Sequence, residues 1–147
     1  MPSPNVWGPI TWNLIHGLIE KLKEDKYVRD LFFMLRLLVS NLPCPSCSQH
    51  AEIYLSRTIV EKLKTKKQLK DLFFMFHNNV NARTKKPLFK YDQLSKYEDV
   101  KLNEAFNKFK STYHTRGNMN LIMESFQRKM ALQRLNKWFI ERCHYFE

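Results

Sequence analysis

Glycine is scarce in this 147-residue chain, with three residues at positions 8, 17 and 117. Phosphate-cradling loops of the GxGxxG or Walker A type need clustered glycines, so both are excluded. Cysteine is equally scarce. Three are too few for a secreted disulfide scaffold, and one pair plus an odd thiol fits a reactive pair better. No apolar run approaches the ~18 residues of a membrane span. The opening Met1-Pro2-Ser3-Pro4-Asn5-Val6-Trp7 has neither a basic n-region nor an apolar h-region. The expectation is a soluble, cytosolic protein with no membrane partner. Alternating strand patterns, internal repeats and low-complexity tracts are also missing.

What is present is apolar and basic. Hydrophobic residues make up 44% and aromatics 14%, enough for a packed core and against disorder. The net charge is +11. Residues 57–90 carry Arg57, Lys62, Lys64, Lys66, Lys67, Lys70, Arg83, Lys85, Lys86 and Lys90 against only Glu61 and Asp71. Basic excess suits nucleic acid, an acidic partner or a phosphate-bearing cofactor. For Lys62–Lys70 a solvated face is the simpler reading.

The hydrophobic period is helical almost throughout. Residues 10–24 align Trp12, Ile15, His16 and Ile19, and residues 27–41 align Leu31, Met34, Leu35 and Leu38. Pro43 ends the second run. Residues 45–64 form a third helix through Cys47, Ala51, Tyr54 and Leu55, and 64–67 reads as a connection. Residues 68–83 form a fourth with Leu69, Phe73, Phe76, His77 and Val80, closed off by Pro87. A short helix near 92–98, another over 99–111, a turn at Gly117-Asn118 and a long helix over 119–143 follow. The fold class is all-α, an antiparallel four-helix bundle with a short fifth helix and a C-terminal helical extension.

Three segments carry candidate chemistry. The first is Leu42-Pro43-Cys44-Pro45-Ser46-Cys47-Ser48-Gln49-His50. Two thiols three apart at a helix start can close and reopen a disulfide, and the helix N-terminus favours the thiolate. In this redox reading Cys44 is nearer the helix end and more exposed, and Cys47 is turned inward. In a zinc reading Cys44, Cys47 and His50 need a fourth ligand, such as His77, Cys143 or His144. In the third reading both cysteines are small buried residues. The second segment is Trp7-Gly8-Pro9-Ile10-Thr11-Trp12-Asn13-Leu14-Ile15-His16, which projects an indole and an imidazole from one helix face. Taken alone it reads as core packing. The third is Phe76-His77-Asn78-Asn79-Val80-Asn81-Ala82-Arg83-Thr84-Lys85-Lys86-Pro87. Asn is a poor helix-interior residue, so three in four positions suggest recognition of an adenine edge or ribose. Arg83, Lys85 and Lys86 can neutralise a pyrophosphate. The competing reading is a polar, basic helix C-terminus.

Together these segments resemble the Erv/ALR family of FAD-linked sulfhydryl oxidases, over roughly residues 5–97. The shared pattern is Trp7-Gly8, Trp12 and His16, then the Cys44/Cys47 pair, then His77-Asn78-Asn79-Val80-Asn81 with Lys86-Pro87. The Leu-Pro-Cys-Pro-x-Cys-x-x-His form is most similar to short versions from large DNA viruses, which implies host cytoplasm or a virion. The resemblance implies an FAD-binding bundle over 1–97, an extension of unassigned role over 98–147, and a homodimer. It implies that Cys44 exchanges with a thiol-containing protein substrate, such as a CxxC redox carrier, and that Cys47 sits beside the flavin. Electrons then pass to molecular oxygen, giving hydrogen peroxide. Trp7, Gly8, Pro9, Trp12 and His16 are implied cofactor contacts on the first helix, and His50 on the third. His77, Asn78, Val80 and Asn81 would meet the adenine part. Arg83, Thr84, Lys86, Pro87 and Tyr91 complete the implied set. Pro9 replaces a frequent arginine and Tyr91 a frequent cysteine, so the family's extra structural disulfide cannot form. No shuttle CxxC is present. Cys143 stands alone and reads as a packed residue. The alternative is a zinc-binding helical interaction module with a basic, nucleic-acid-facing surface.

Overall fold

The computed structural model describes residues 4–113 and 122–147. Six α-helices follow in order: α1 Pro4–Lys21, α2 Val28–Val39, α3 Pro45–Ser56, α4 Lys66–Arg83, α5 Leu102–Tyr113 and α6 Ile122–Glu141. A 3₁₀ helix, Tyr91–Asp99, lies between α4 and α5. No strand occurs among the described residues, only an isolated antiparallel bridge between Leu22 and Phe146. The all-α reading holds.

The boundaries differ from the sequence reading in instructive places. Helix α1 begins at Pro4 rather than near residue 10, with Pro9 inside it. Pro9 is the sixth residue of the helix, past the first-turn orphan donors, and its missing N–H removes one i→i−4 hydrogen bond from the second turn. The third helix stops at Ser56 instead of reaching 64. Ile59 is extended (φ −86°, ψ 100°), and the β-branched run Thr58-Ile59-Val60 favours that departure. The departure carries Leu63 into the core, 5% exposed. Arg29 reaches across from α2 and donates to the carbonyls of Glu61 (2.7 Å) and Leu63 (3.3 Å). Helix α4 begins at Lys66, inside the expected connection. Thr65 and Gln68 form a reciprocal capping box there, which satisfies two orphan donors. The Gly117-Asn118 turn and Met119 lie outside the described residues.

One apolar core runs through all six helices. Leu14, Ile15, Leu31, Phe32, Leu35, Leu55, Leu69 and Phe73 are fully buried in it, and Phe106, Phe109, Trp138 and Phe139 join from the C-terminal helices. Helix α5 lies beside α1 because Gly17 leaves room for Val100. A Cβ there would sit 2.8 Å from Val100 Cγ1. The Thr11 hydroxyl also meets the Tyr113 hydroxyl at 2.5 Å.

The C-terminal end is fastened to α2 through a single carboxylate. Asp30 accepts from Trp138 Nε1 (3.0 Å), Arg142 Nε (2.9 Å) and the Tyr145 hydroxyl (2.8 Å). Lys23 N–H to Tyr145 O and Glu147 N–H to Lys21 O, both 2.9 Å, complete the attachment. Removing the shared acceptor leaves three donors short of a partner. Asp30→Ala is therefore expected to lower unfolding stability by about 2 kcal/mol in a urea titration. A change below about 0.5 kcal/mol would show that the carboxylate does not hold the end in place.

Candidate active site

Cys44 and Cys47 are joined in a disulfide with their Cα atoms 5.2 Å apart. Cys44 is the N-cap of α3, extended at φ −140° and ψ 106°, and Pro45 occupies the first helical position. That proline suits the site because its missing N–H is one the helix could not use. Cys44 Sγ accepts the Cys47 N–H at 3.3 Å and lies 3.4 Å from Ser46 Oγ. The preceding loop is tied down by Leu42 N–H donating to Ser48 Oγ at 2.8 Å. On reduction, a Cys44 thiolate at this position keeps a backbone donor and the positive end of the helix dipole. Both cysteines are half-buried. What separates them is direction: Cys47 lines an internal cavity, and Cys44 lines none of the cavities described below.

Across the bundle, flat rings are assembled from α1 and α4. The His77 ring stacks on Trp12 at 3.8 Å with 7° between planes, and Trp12 stacks on His16 at 5.5 Å. His16 Nε2 and His77 Nδ1 share a 2.9 Å hydrogen bond, with one ring donating. Phe89 and Tyr97 close over the pair. His16 is 2% exposed and His77 9%. Burial pushes each imidazole down to about 3. Nearby lysines act in the same direction: Lys96 and Lys70 on His16, and Lys96 and Lys86 on His77. Both rings are therefore neutral at physiological pH.

Two adjoining cavities flank this wall. One is lined by Trp7, Gly8, Trp12, Cys47, His50, Val80, Asn81, Arg83, Thr84 and Lys86, all singled out from sequence. Thr11, Ile15, Val39, Leu42 and Phe76 complete it. The other, larger one, of about 580 Å³, shares Gly8, Trp12, Asn81 and Lys86 and adds Pro9 and His77. Ile10, Asn13, Lys96, Tyr97 and Lys108 line it as well, none of them singled out from sequence. Thr11 and Ile15 were within reach, because they continue the Trp7 face of α1 at four-residue steps. No local pattern marks Lys108, which arrives by tertiary packing.

Of the residues singled out from sequence, His16, Cys44, Asn78, Pro87 and Tyr91 line neither cavity, and several of the others also brace the site. Asn78 spans the Phe89 backbone, accepting its N–H and donating to its carbonyl, both at 3.0 Å. Asn81 Nδ2 donates to Pro87 O at 3.3 Å. These two amides hold the 85–90 segment against α4. Asn79 joins α4 to α3 through His50 Nε2 at 2.8 Å. Tyr91 packs edge-on against Phe74 at 5.2 Å, away from both cavities. Lys86 is aimed by the way α4 ends. Lys86 N–H bonds Asn81 O (2.8 Å), Lys85 N–H bonds Ala82 O (3.3 Å), and Lys85 takes the left-handed conformation at φ 60°. Such a closure usually has glycine where Lys85 stands. Among the described residues no group of three or more His, Cys, Asp or Glu is placed to hold a metal ion. Cys44, Cys47 and His50 do not converge as a zinc site: the sulfurs are bonded to each other, and His50 is engaged by Asn79.

A CxxC disulfide thus stands at a helix start of an all-α bundle, with one of its sulfurs on an aromatic-walled cavity. The chain belongs to the Erv1 / Alr family, whose model matches residues 9–102. Protein 096R of Invertebrate iridescent virus 3, whose assigned name is that of an FAD-linked sulfhydryl oxidase, is 32% identical over 89 residues, 58% of this chain and 60% of that one. The FAD-linked sulfhydryl oxidase of African swine fever virus is 28% identical over 108 residues, 66% of this chain and 84% of that one. OPG072 of Vaccinia virus, named for the same activity, is 33% identical over 51 residues, 35% of this chain and 54% of that one. The chain thus spans about 60% of the iridovirus relative's length. No solved structure gives a significant match.

Proposed function

We propose that this chain is an FAD-linked sulfhydryl oxidase that forms disulfides in protein substrates and passes the electrons to oxygen. The observation that carries the reading is the placement of Cys47. One sulfur of the disulfide lines the same cavity as Trp12, Arg83 and Lys86. The donor set fits a flavin dinucleotide. It offers a flat aromatic wall for ring stacking, cations for phosphates, and no Asp or Glu among the lining residues.

In the proposed reaction, a substrate thiolate attacks Cys44 Sγ. The Cys44–Cys47 bond breaks, and Cys47 departs as a thiolate in the first turn of α3. A second substrate thiolate then attacks the substrate sulfur of the mixed disulfide and releases Cys44. The substrate leaves oxidised, and the enzyme holds two thiols. FAD, when bound, takes this electron pair from the dithiol and delivers it to oxygen, giving hydrogen peroxide. Cys44, at the N-cap of α3, is the sulfur that re-forms the bond to Cys47. Trp12 and the neutral His16–His77 pair supply a wall with no titration of its own at working pH.

The substrate is a thiol protein, with a CxxC redox carrier as the preferred type, because no shuttle CxxC accompanies the Cys44/Cys47 pair in the sequence. The proposed enzyme is a homodimer. Residues 1–97 carry the redox chemistry, with helices α5 and α6 packed on them. Among the described residues no helix is long and apolar enough to cross a membrane. The viral relatives support a site of action in host cytoplasm or the virion. Nucleic acid is not part of the proposal.

The deciding measurement is an absorbance spectrum of the purified protein. A bound-flavin spectrum is expected, bleached by a dithiol without oxygen and restored by air, with one peroxide formed per disulfide. A folded, colourless preparation would sink the proposal.

A further inference from the structure

The larger cavity gathers three lysines from three separate elements. Lys86 comes from the turn after α4, Lys96 from the 3₁₀ helix and Lys108 from α5. No Asp or Glu is among its lining residues. Among the described residues, no carboxylate lies within ion-pair distance of any of the three. Like charges gathered in a concave site repel one another unless an anion answers them. The rest of the lining suits a nucleotide, with the Trp12, His77 and Tyr97 rings and the Asn13 and Asn81 amides. This cavity adjoins the Cys47 cavity across Trp12, Asn81 and Lys86. An elongated ligand with its redox ring at Cys47 would extend its acidic portion toward the lysines.

We propose that Lys96 and Lys108 bind the phosphate-bearing half of the dinucleotide, which makes α5 part of the cofactor site. The inference rests on the FAD reading above. Lys96 lies inside the family match at 9–102, and for Lys108 the inference assigns a role outside it. Helix α5 is firmly placed for this role. Phe106, Phe109 and Tyr113 are buried in the core, and Thr11 meets Tyr113. Lys108 itself is exposed and its ammonium is available. A lysine acts on phosphate as a point charge, so its contribution weakens with salt.

The test is equilibrium dialysis of the purified, flavin-loaded full chain against graded FAD, at low and high salt. Lys108→Gln is expected to raise the FAD dissociation constant about tenfold, equivalent to about 1.4 kcal/mol. Lys108→Glu should raise it further, and both variants should flatten the salt dependence. Lys101→Gln removes one charge just before α5, outside both cavities, and should leave the constant unchanged. Affinity for riboflavin, which lacks phosphate, should be the same in all four proteins. Thermal midpoints check folding, and Lys108→Gln decides the matter if Lys108→Glu unfolds. Wild-type FAD affinity in both Lys108 variants, or equal weakening by Lys101→Gln, would overturn the inference while leaving the oxidase reading intact. A wild-type chain with no affinity for FAD would overturn both.

Discussion

Cys47→Ser lowers oxygen-dependent oxidation of a protein dithiol by about three orders of magnitude or more, while flavin stays bound. The size follows from removing a group that must form and break a covalent bond. Serine at 47 cannot hold a disulfide with Cys44, so no electron pair reaches the cavity. Retention of flavin follows from the lining, in which one sulfur is exchanged for an oxygen among many unchanged walls. Folding should survive, because a disulfide across so short a loop contributes about 2 kcal/mol. The paired variant separates the two sulfurs. Cys47→Ser leaves Cys44 free, so it captures a substrate whose thiol is supplied as a disulfide with a small aromatic thiol: the Cys44 thiolate attacks the substrate sulfur, the small thiolate leaves, and the mixed disulfide is visible on a non-reducing gel. Cys44→Ser loses turnover equally but traps nothing, because Cys47 faces the cavity. Cys143 is exposed, not packed as the sequence suggested; it is the control, and Cys143→Ser should turn over normally. Trapping by Cys44→Ser instead would reverse the assignment of substrate-facing and cavity-facing sulfurs.

Much of this site was legible because its parts are local. A helix can be read from the period of Leu31, Met34, Leu35 and Leu38, all of which are buried in α2. The redox pair announces itself by a three-residue spacing at a proline-marked helix start, and the segment does cap α3. Residue type alone has no direction, however. Asn78 and Asn81 were conspicuous as poor helix formers, but their amides bind the chain's own 85–90 segment, and only Asn81 also reaches a cavity. The end of α3 was misread because Leu63 continues an apolar pattern that the chain satisfies by a turn instead. The lysine-lined cavity could not be read at all. It exists because Gly17 admits Val100 and Tyr113 reaches Thr11, and these contacts span about a hundred residues of sequence. Cofactor and reaction came from resemblance, since no spacing rule links a CxxC to a flavin.

Acidification from pH 7.5 to pH 5 is expected to remove about 4 kcal/mol of unfolding stability through His16 and His77. Each folded imidazole is held at about 3 against an ordinary 6.5. In the unfolded chain both rings begin to take up protons near pH 6.5, and the folded rings stay neutral. The unfolded state then binds more protons, so stability is complete above pH 6.5 and falls as pH drops toward 3. At pH 5 the loss depends only on the unfolded value, provided the folded one lies well below 5. The cause is burial, reinforced by neighbouring cations: Lys96 and Lys70 for His16, and Lys96 and Lys86 for His77. Paired carboxylates add their own loss only below about pH 5, so the upper window isolates the histidines. Urea titrations at half-unit steps would show it as a falling midpoint with a steady slope. Replacing His77 by Gln keeps a hydrogen-bonding partner for His16 but removes one titrating ring, and should roughly halve the fall. A flat profile between pH 7.5 and 5 would mean that water or a bound ligand lets the pair protonate in place. The charge would then sit on His77, which lines the larger cavity next to Trp12, and on His16, hydrogen-bonded to it.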